Sequence, residues 1–110
     1  MKKILWISRY DISYKQTKDL EIIFKDEIMV SQEKNNLTLE EIIEKSKDYD
    51  ALAVVLPISM ISEIKEHITI PIFRSVMKRI DNNGKPMLTH DYWEEIKEIK
   101  LIVEKYDFNN

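Results

Sequence analysis

Cysteine is absent from this 110-residue chain, so disulfides, thiolate nucleophiles and cysteine-ligated zinc or iron–sulfur sites are excluded. Glycine occurs once, at position 84. A phosphate-cradling P-loop and a dinucleotide fingerprint each need several glycines at fixed spacing, so ATP hydrolysis and NAD-dependent hydride transfer are disfavoured. There are two histidines, with no third ligand at a fixed spacing, so neither a metal nor another cofactor is expected. No apolar run approaches the ~20 residues that span a bilayer. The apolar start, Ile4 to Ile7, is followed by Arg9 and is too short for the core of a signal peptide. The expectation is a cytoplasmic protein with no membrane partner. A large charge of one sign is lacking too: 17 Lys+Arg stand against 20 Asp+Glu, a net charge of −3. A domain that tracks nucleic-acid phosphates carries a basic excess, so no long nucleic acid is expected as a partner.

What is present suits one globular domain over residues 1–110, with 44% hydrophobic and 34% charged residues. Residues 4–8 read as a buried first strand. Ser13 and Gln16 have the spacing of a capping box, and Leu20, Ile23 and Phe24 follow at helical spacing, which gives a helix over about 13–25. Residues 26–31 read as a second strand, with Ile28 and Val30 on one face. Thr38 and Glu41 form a second capping box, Leu37 and Ile42 its hydrophobic staple, and the helix ends near Asp48. Residues 51–56 are continuously apolar, as a parallel strand covered on both faces should be, and Pro57 stops them. A short helix follows, with Ser59 as its cap and Ile61 and Ile64 inward. Residues 68–73 make a fourth strand, which Pro71 places at a sheet edge.

Strand–helix alternation with short connections specifies a parallel sheet with right-handed crossovers. The fold class is therefore α/β: a small three-layer Rossmann-like domain with about four strands in the order 2-1-3-4. A C-terminal hairpin or helix is added to it. Asp81-Asn82-Asn83-Gly84 is the strongest turn signal and is expected to join residues 76–80 and 87–90 as a hairpin. The pattern of Tyr92, Trp93, Ile96 and Ile99 favours a short helix over 91–97, then a terminal strand over 99–106.

Ligands of open parallel sheets bind beyond the carboxyl ends of the strands, where the strand order switches. Ser8, Arg9 and Tyr10 follow the first strand, Ser59 the third, and Arg74 and Ser75 the fourth. In the order 2-1-3-4 these six converge on one rim. Two guanidiniums there can hold phosphate oxygens, helix-start amides near Ser59 add partial positive charge, and hydroxyls add hydrogen bonds. The bland reading stands beside it: both arginines pair with surface carboxylates, and the serines are caps. His67 reads as a C-terminal helix cap. Trp6 and Trp93 read as core aromatics, and Glu40–Glu41 and Glu94–Glu95 as solvated helix faces. No Ser/His/Asp arrangement for nucleophilic catalysis is legible.

The opening Lys3-Ile4-Leu5-Trp6-Ile7-Ser8-Arg9-Tyr10, then Lys18-Asp19-Leu20, then Val54-Val55-Leu56-Pro57, resembles the compact ring-nuclease-like Rossmann proteins associated with type III CRISPR systems. The resemblance covers the first half of the chain, and Tyr10 stands where that group suggests a histidine. It implies binding of a cyclic oligoadenylate or other nucleotide by a symmetric homodimer, with Arg9 and Arg74 clamping phosphate and Ser8 and Ser59 orienting it. It also implies metal-independent cleavage, in which a ribose 2′-hydroxyl attacks the neighbouring phosphorus. The alternative is a non-enzymatic protein-interaction module, a small inhibitor or adaptor anchored by Tyr92, Trp93, Tyr106 and Phe108.

Overall fold

The computed structural model describes residues 1–98 and 103–107. Its elements run β1 (Lys2–Ile7), α1 (Tyr14–Phe24), β2 (Ile28–Glu33), α2 (Leu39–Ser46), β3 (Ala51–Val54), α3 (Ile58–His67), β4 (Ile72–Asn82) and β5 (Lys85–Glu95). Five strands form one sheet in the order β2-β1-β3-β4-β5. The first three contacts of that order are parallel, and β4–β5 is an antiparallel hairpin.

Local sequence sets the helix starts. Both capping boxes form: Ser13 Oγ accepts from the Gln16 amide at 3.1 Å, and Gln16 Oε1 accepts from the Ser13 amide at 2.8 Å. Thr38 and Glu41 make the same reciprocal pair at 3.2 Å. Such a cap contributes about 1 kcal/mol. The Asn83-Gly84 turn has positive φ at both residues, 53° and 79°, as a two-residue hairpin loop requires.

The sheet has an apolar core on each face. On one, Leu5, Ile7, Leu52, Val54 and Ile72 meet Ile42 of α2 and Ile61 and Ile64 of α3, with Leu37 and Leu39 packed alongside. On the other, Ile4, Trp6, Ala53, Phe73 and Trp93 meet Leu20 of α1. Trp6 and Trp93 contact edge-to-face at 5.8 Å, and Phe24 and Phe73 at 5.3 Å. Aromatic pairs of this geometry add about 0.5–1.5 kcal/mol beyond buried area. No described helix is long and apolar enough to cross a membrane.

Five sequence expectations differ from the structure. The fourth strand and the first arm of the hairpin are one 11-residue strand, so the sheet has five strands rather than four. That strand is internal, because Pro71 precedes it and gives only its carbonyl, which accepts from the Leu52 amide at 2.9 Å. Residues 91–95 belong to β5 instead of a helix: pairing with β4 buries Trp93 and leaves Tyr92 outside, an alternation of period two. Pro57 holds the N-cap position of α3 and no side chain caps it, so Ser59 is not the cap. Of the expected terminal strand, residues 99–102 lie outside the described residues, and 103–106 form no strand.

Candidate functional site

A cleft of about 450 Å³ opens at the carboxyl ends of β1, β2 and β3. The chain leaves β1 for β2 on one side and comes back to β3 on the other, so this is the switch point of the sheet. Ile7, Leu37, Ile42, Val55, Leu56, Pro57 and Met60 supply an apolar wall. Ser8, Arg9, Tyr10, Glu33, Lys34, Asn35 and Asn36 supply the polar part.

The loop that presents Arg9 and Tyr10 is held from beneath. Ser8 is buried, its amide donates to the Glu33 carbonyl at 3.2 Å, and its Oγ accepts from the Tyr10 amide at 3.1 Å. The Tyr10 carbonyl accepts from Trp6 Nε1 and from Gln32 Nε2, both at 2.8 Å. Fixing the backbone in this way leaves the Tyr10 ring 78% exposed and Arg9 exposed beside it.

The charges of the cleft are mostly neutralised locally. Glu33 pairs with Lys45 at 2.9 Å, and Lys34 with Asp11 at 2.9 Å. Arg9 makes no ion pair among the described residues, so its guanidinium is available to a ligand. The start of α3, represented in the cleft by Pro57 and Met60, adds to it. The first amides of α1 and α2 are served by capping boxes, whereas α3 has no side-chain cap. In α3 the Met60 and Ile61 amides donate to the Pro57 carbonyl at 3.0 and 3.2 Å, which leaves the amides of Ile58 and Ser59, next to the lining residues, without a cap; such amides carry partial positive charge and suit an anion.

The six rim residues read from the sequence separate into four places. Ser8, Arg9 and Tyr10 line the cleft together. Ser59 is exposed in the first turn of α3, between two lining residues but outside the lining. Arg74 lies on β4 and pairs with Glu94 of β5 at 2.9 Å. Ser75 is buried under α1. The cleft residues 33–36 lie beyond Ser31, where the sequence pattern ends the second strand. The Asn35-Asn36 pair was the turn signal that marks this loop.

Ser75 belongs to a network that no sequence spacing announced. Its Oγ lies 2.6 Å from His90 Nδ1 and accepts from Gln16 Nε2 at 3.1 Å. His90 Nε2 has no hydrogen bond and lies 3.4 Å from Asp19 Oδ2, which Lys15 holds at 2.9 Å. Burial, with the nearby Lys15 ammonium, pushes the His90 imidazole below its usual range; the Lys15 hydrogen bond lowers the Asp19 carboxyl. The residue types are those of a hydrolase triad, but Ser75 is 5% exposed and does not line the cleft. The network joins α1 to the base of the hairpin, and Trp93 Nε1, donating to the Gln16 carbonyl at 3.1 Å, extends it. Among the described residues no group of three or more His, Asp or Glu could hold a metal ion.

No protein-family model, curated protein or solved structure matches the chain.

Proposed function

We propose that this is a Rossmann-like domain that binds an anionic, nucleotide-like small molecule in the switch-point cleft. The observation that carries the reading is the unpaired Arg9, which lines a cavity of about 450 Å³ together with Pro57 and Met60 of the uncapped start of α3. That volume falls within the ~300–1,000 Å³ of small-molecule sites. Phosphate suits Arg9 and the α3 amides. The exposed Tyr10 ring offers a stacking face for a base, the apolar wall takes ribose and ring carbons, and Asn35 and Asn36 offer adaptable hydrogen bonds.

The sequence resemblance makes a cyclic oligoadenylate the first ligand to try, with one nucleotide unit in the cleft and the rest of the ring across the rim. Cleavage of such a ring joins a ribose 2′-oxygen to phosphorus, gives a 2′,3′-cyclic phosphate, and releases a 5′-hydroxyl that takes up the proton. The cleft contains no histidine, and its one carboxylate, Glu33, is tied to Lys45. Binding, as a sensor or sponge, is therefore the function this site supports better than turnover. Equilibrium dialysis against AMP, ADP and cyclic oligoadenylates tests it. Saturable binding of at least one nucleotide, weakened about tenfold or more by Arg9→Ala, is the expected result. Absence of binding across the panel would refute the reading.

The second reading, a protein-interaction module, is favoured by the exposed end of the β4–β5 hairpin.

A further inference from the structure

Beyond Met77 and His90 the hairpin continues as a ribbon of five residue pairs, from Lys78↔Thr89 to Asn82↔Lys85. At ~3.4 Å per residue this arm is about 17 Å long. Residues 78–82 and 85–88 are all exposed. A two-stranded ribbon is marginal in water by itself, and this one shows Ile80, Met87 and Leu88 to solvent at 40%, 46% and 70%. The β5 edge carries Pro86, which lacks an N–H, and β4 pairs with β3 only as far as Arg74, so neither edge of the arm has a neighbouring strand. Its faces carry the charged and apolar side chains that a partner would meet.

Charge says which partner. Residues 77–90 carry Lys78, Arg79 and Lys85 against Asp81, a balance of +2. Helix α3 carries Glu63 and Glu66 against Lys65, a balance of −1. On α3, Ser59, Glu63 and Glu66 share the outer face at helical spacing, flanked by Ile58 and Met60, which are 49% and 39% exposed. Arg79, Lys85, Glu63 and Glu66 make no ion pair among the described residues. One chain thus carries a basic arm with apolar side chains and an acidic helix face with apolar side chains.

We propose that the arm docks on the α3 face of a second copy of this chain, whose own arm docks on the first. Two identical contacts related by a two-fold axis close the assembly as a dimer. The proposal rests on the arm and on the outer face of α3; of the residues it uses, Met60 also lines the cleft.

Sedimentation equilibrium of the full chain tests it by charge exchange. The wild type is expected to dimerise at low salt, with a dissociation constant that rises about tenfold or more at high salt. Arg79→Glu/Lys85→Glu and, separately, Glu63→Lys/Glu66→Lys are each expected to be monomeric with unchanged circular dichroism. An equimolar mixture of the two variants restores both contacts, so a heterodimer should form. A monomer at every concentration, a dimer indifferent to the arm reversal, or a mixture that stays monomeric would overturn the proposal. So would a monomer whose arm binds duplex DNA instead.

Discussion

Replacing Ser75 by alanine removes a single oxygen, yet it should cost far more than a surface hydroxyl. Ser75 Oγ is the point where the buried Gln16 amide and the His90 ring meet, at 3.1 and 2.6 Å. Ser75, Gln16 and His90 are 5%, 4% and 3% exposed, so solvent cannot replace the lost partner without opening the interface between α1 and the hairpin. Ser75→Ala therefore orphans two buried polar atoms, Gln16 Nε2 and His90 Nδ1. Each orphan costs about 1–3 kcal/mol, which gives about 2–6 kcal/mol for the pair. Urea unfolding followed by tryptophan fluorescence, with Trp6 and Trp93 both in the core, measures this directly. A loss at the lower bound lowers Tm by on the order of 8 °C for a domain of this size. The double variant Ser75→Ala/His90→Phe removes one orphan along with the serine. It should be less destabilised than the sum of its parts, with a coupling of about 1 kcal/mol or more. A Ser75→Ala cost below about 0.5 kcal/mol with an unchanged denaturant slope would refute the reasoning.

Three further outcomes follow from the same geometry. Because burial depresses the His90 imidazole, the folded chain resists a proton that the unfolded chain accepts below the ordinary histidine value of about 6.5. Stability is then fully present above that value and falls as pH drops through it, and His90→Phe should flatten the profile below about pH 6.5 in urea titrations. Asp19 has its own window: its carboxyl is lowered, so its contribution persists above the ordinary aspartate range, about 3.9, and is lost only on further acidification. Thr38→Ala should cost about 1 kcal/mol through the broken capping box, whereas Ser59→Ala, at a position that caps nothing, should stay within about 0.5 kcal/mol in the same assay.

The legible parts of this fold were those written locally. Ser13/Gln16 and Thr38/Glu41 announce two helix starts because capping chemistry needs only four residues. Strand–helix alternation announces the parallel sheet, and with the order 2-1-3-4 assumed for it Ser8, Arg9 and Tyr10 fall at the switch point, where the cleft lies. The last third was misread where tertiary pairing outweighs local pattern. Tyr92, Trp93 and Ile96 satisfy helical and strand periods equally over so short a run, and only the ladder with β4 decides between them. Arg74 went astray for a related reason. Residues beyond the last parallel pairing with β3 continue as a hairpin, so Arg74 meets Glu94 of the neighbouring strand. The Gln16–Ser75–His90 network joins residues 59 and 15 positions apart, and no spacing rule connects them.

The central claim is that the cleft at the ends of β1, β2 and β3 is the ligand site, and amide chemical-shift mapping tests it most directly. Titrating isotope-labelled protein with AMP and then with a cyclic oligoadenylate should move the amides of residues 8–10, 34–37 and 58–60 together. The hairpin tip at Asn83 and Gly84 should stay still, and the same titration of Arg9→Ala should show the loss of affinity. Perturbations centred on Arg74 or on the outer face of α1, or none with any nucleotide, would contradict the account.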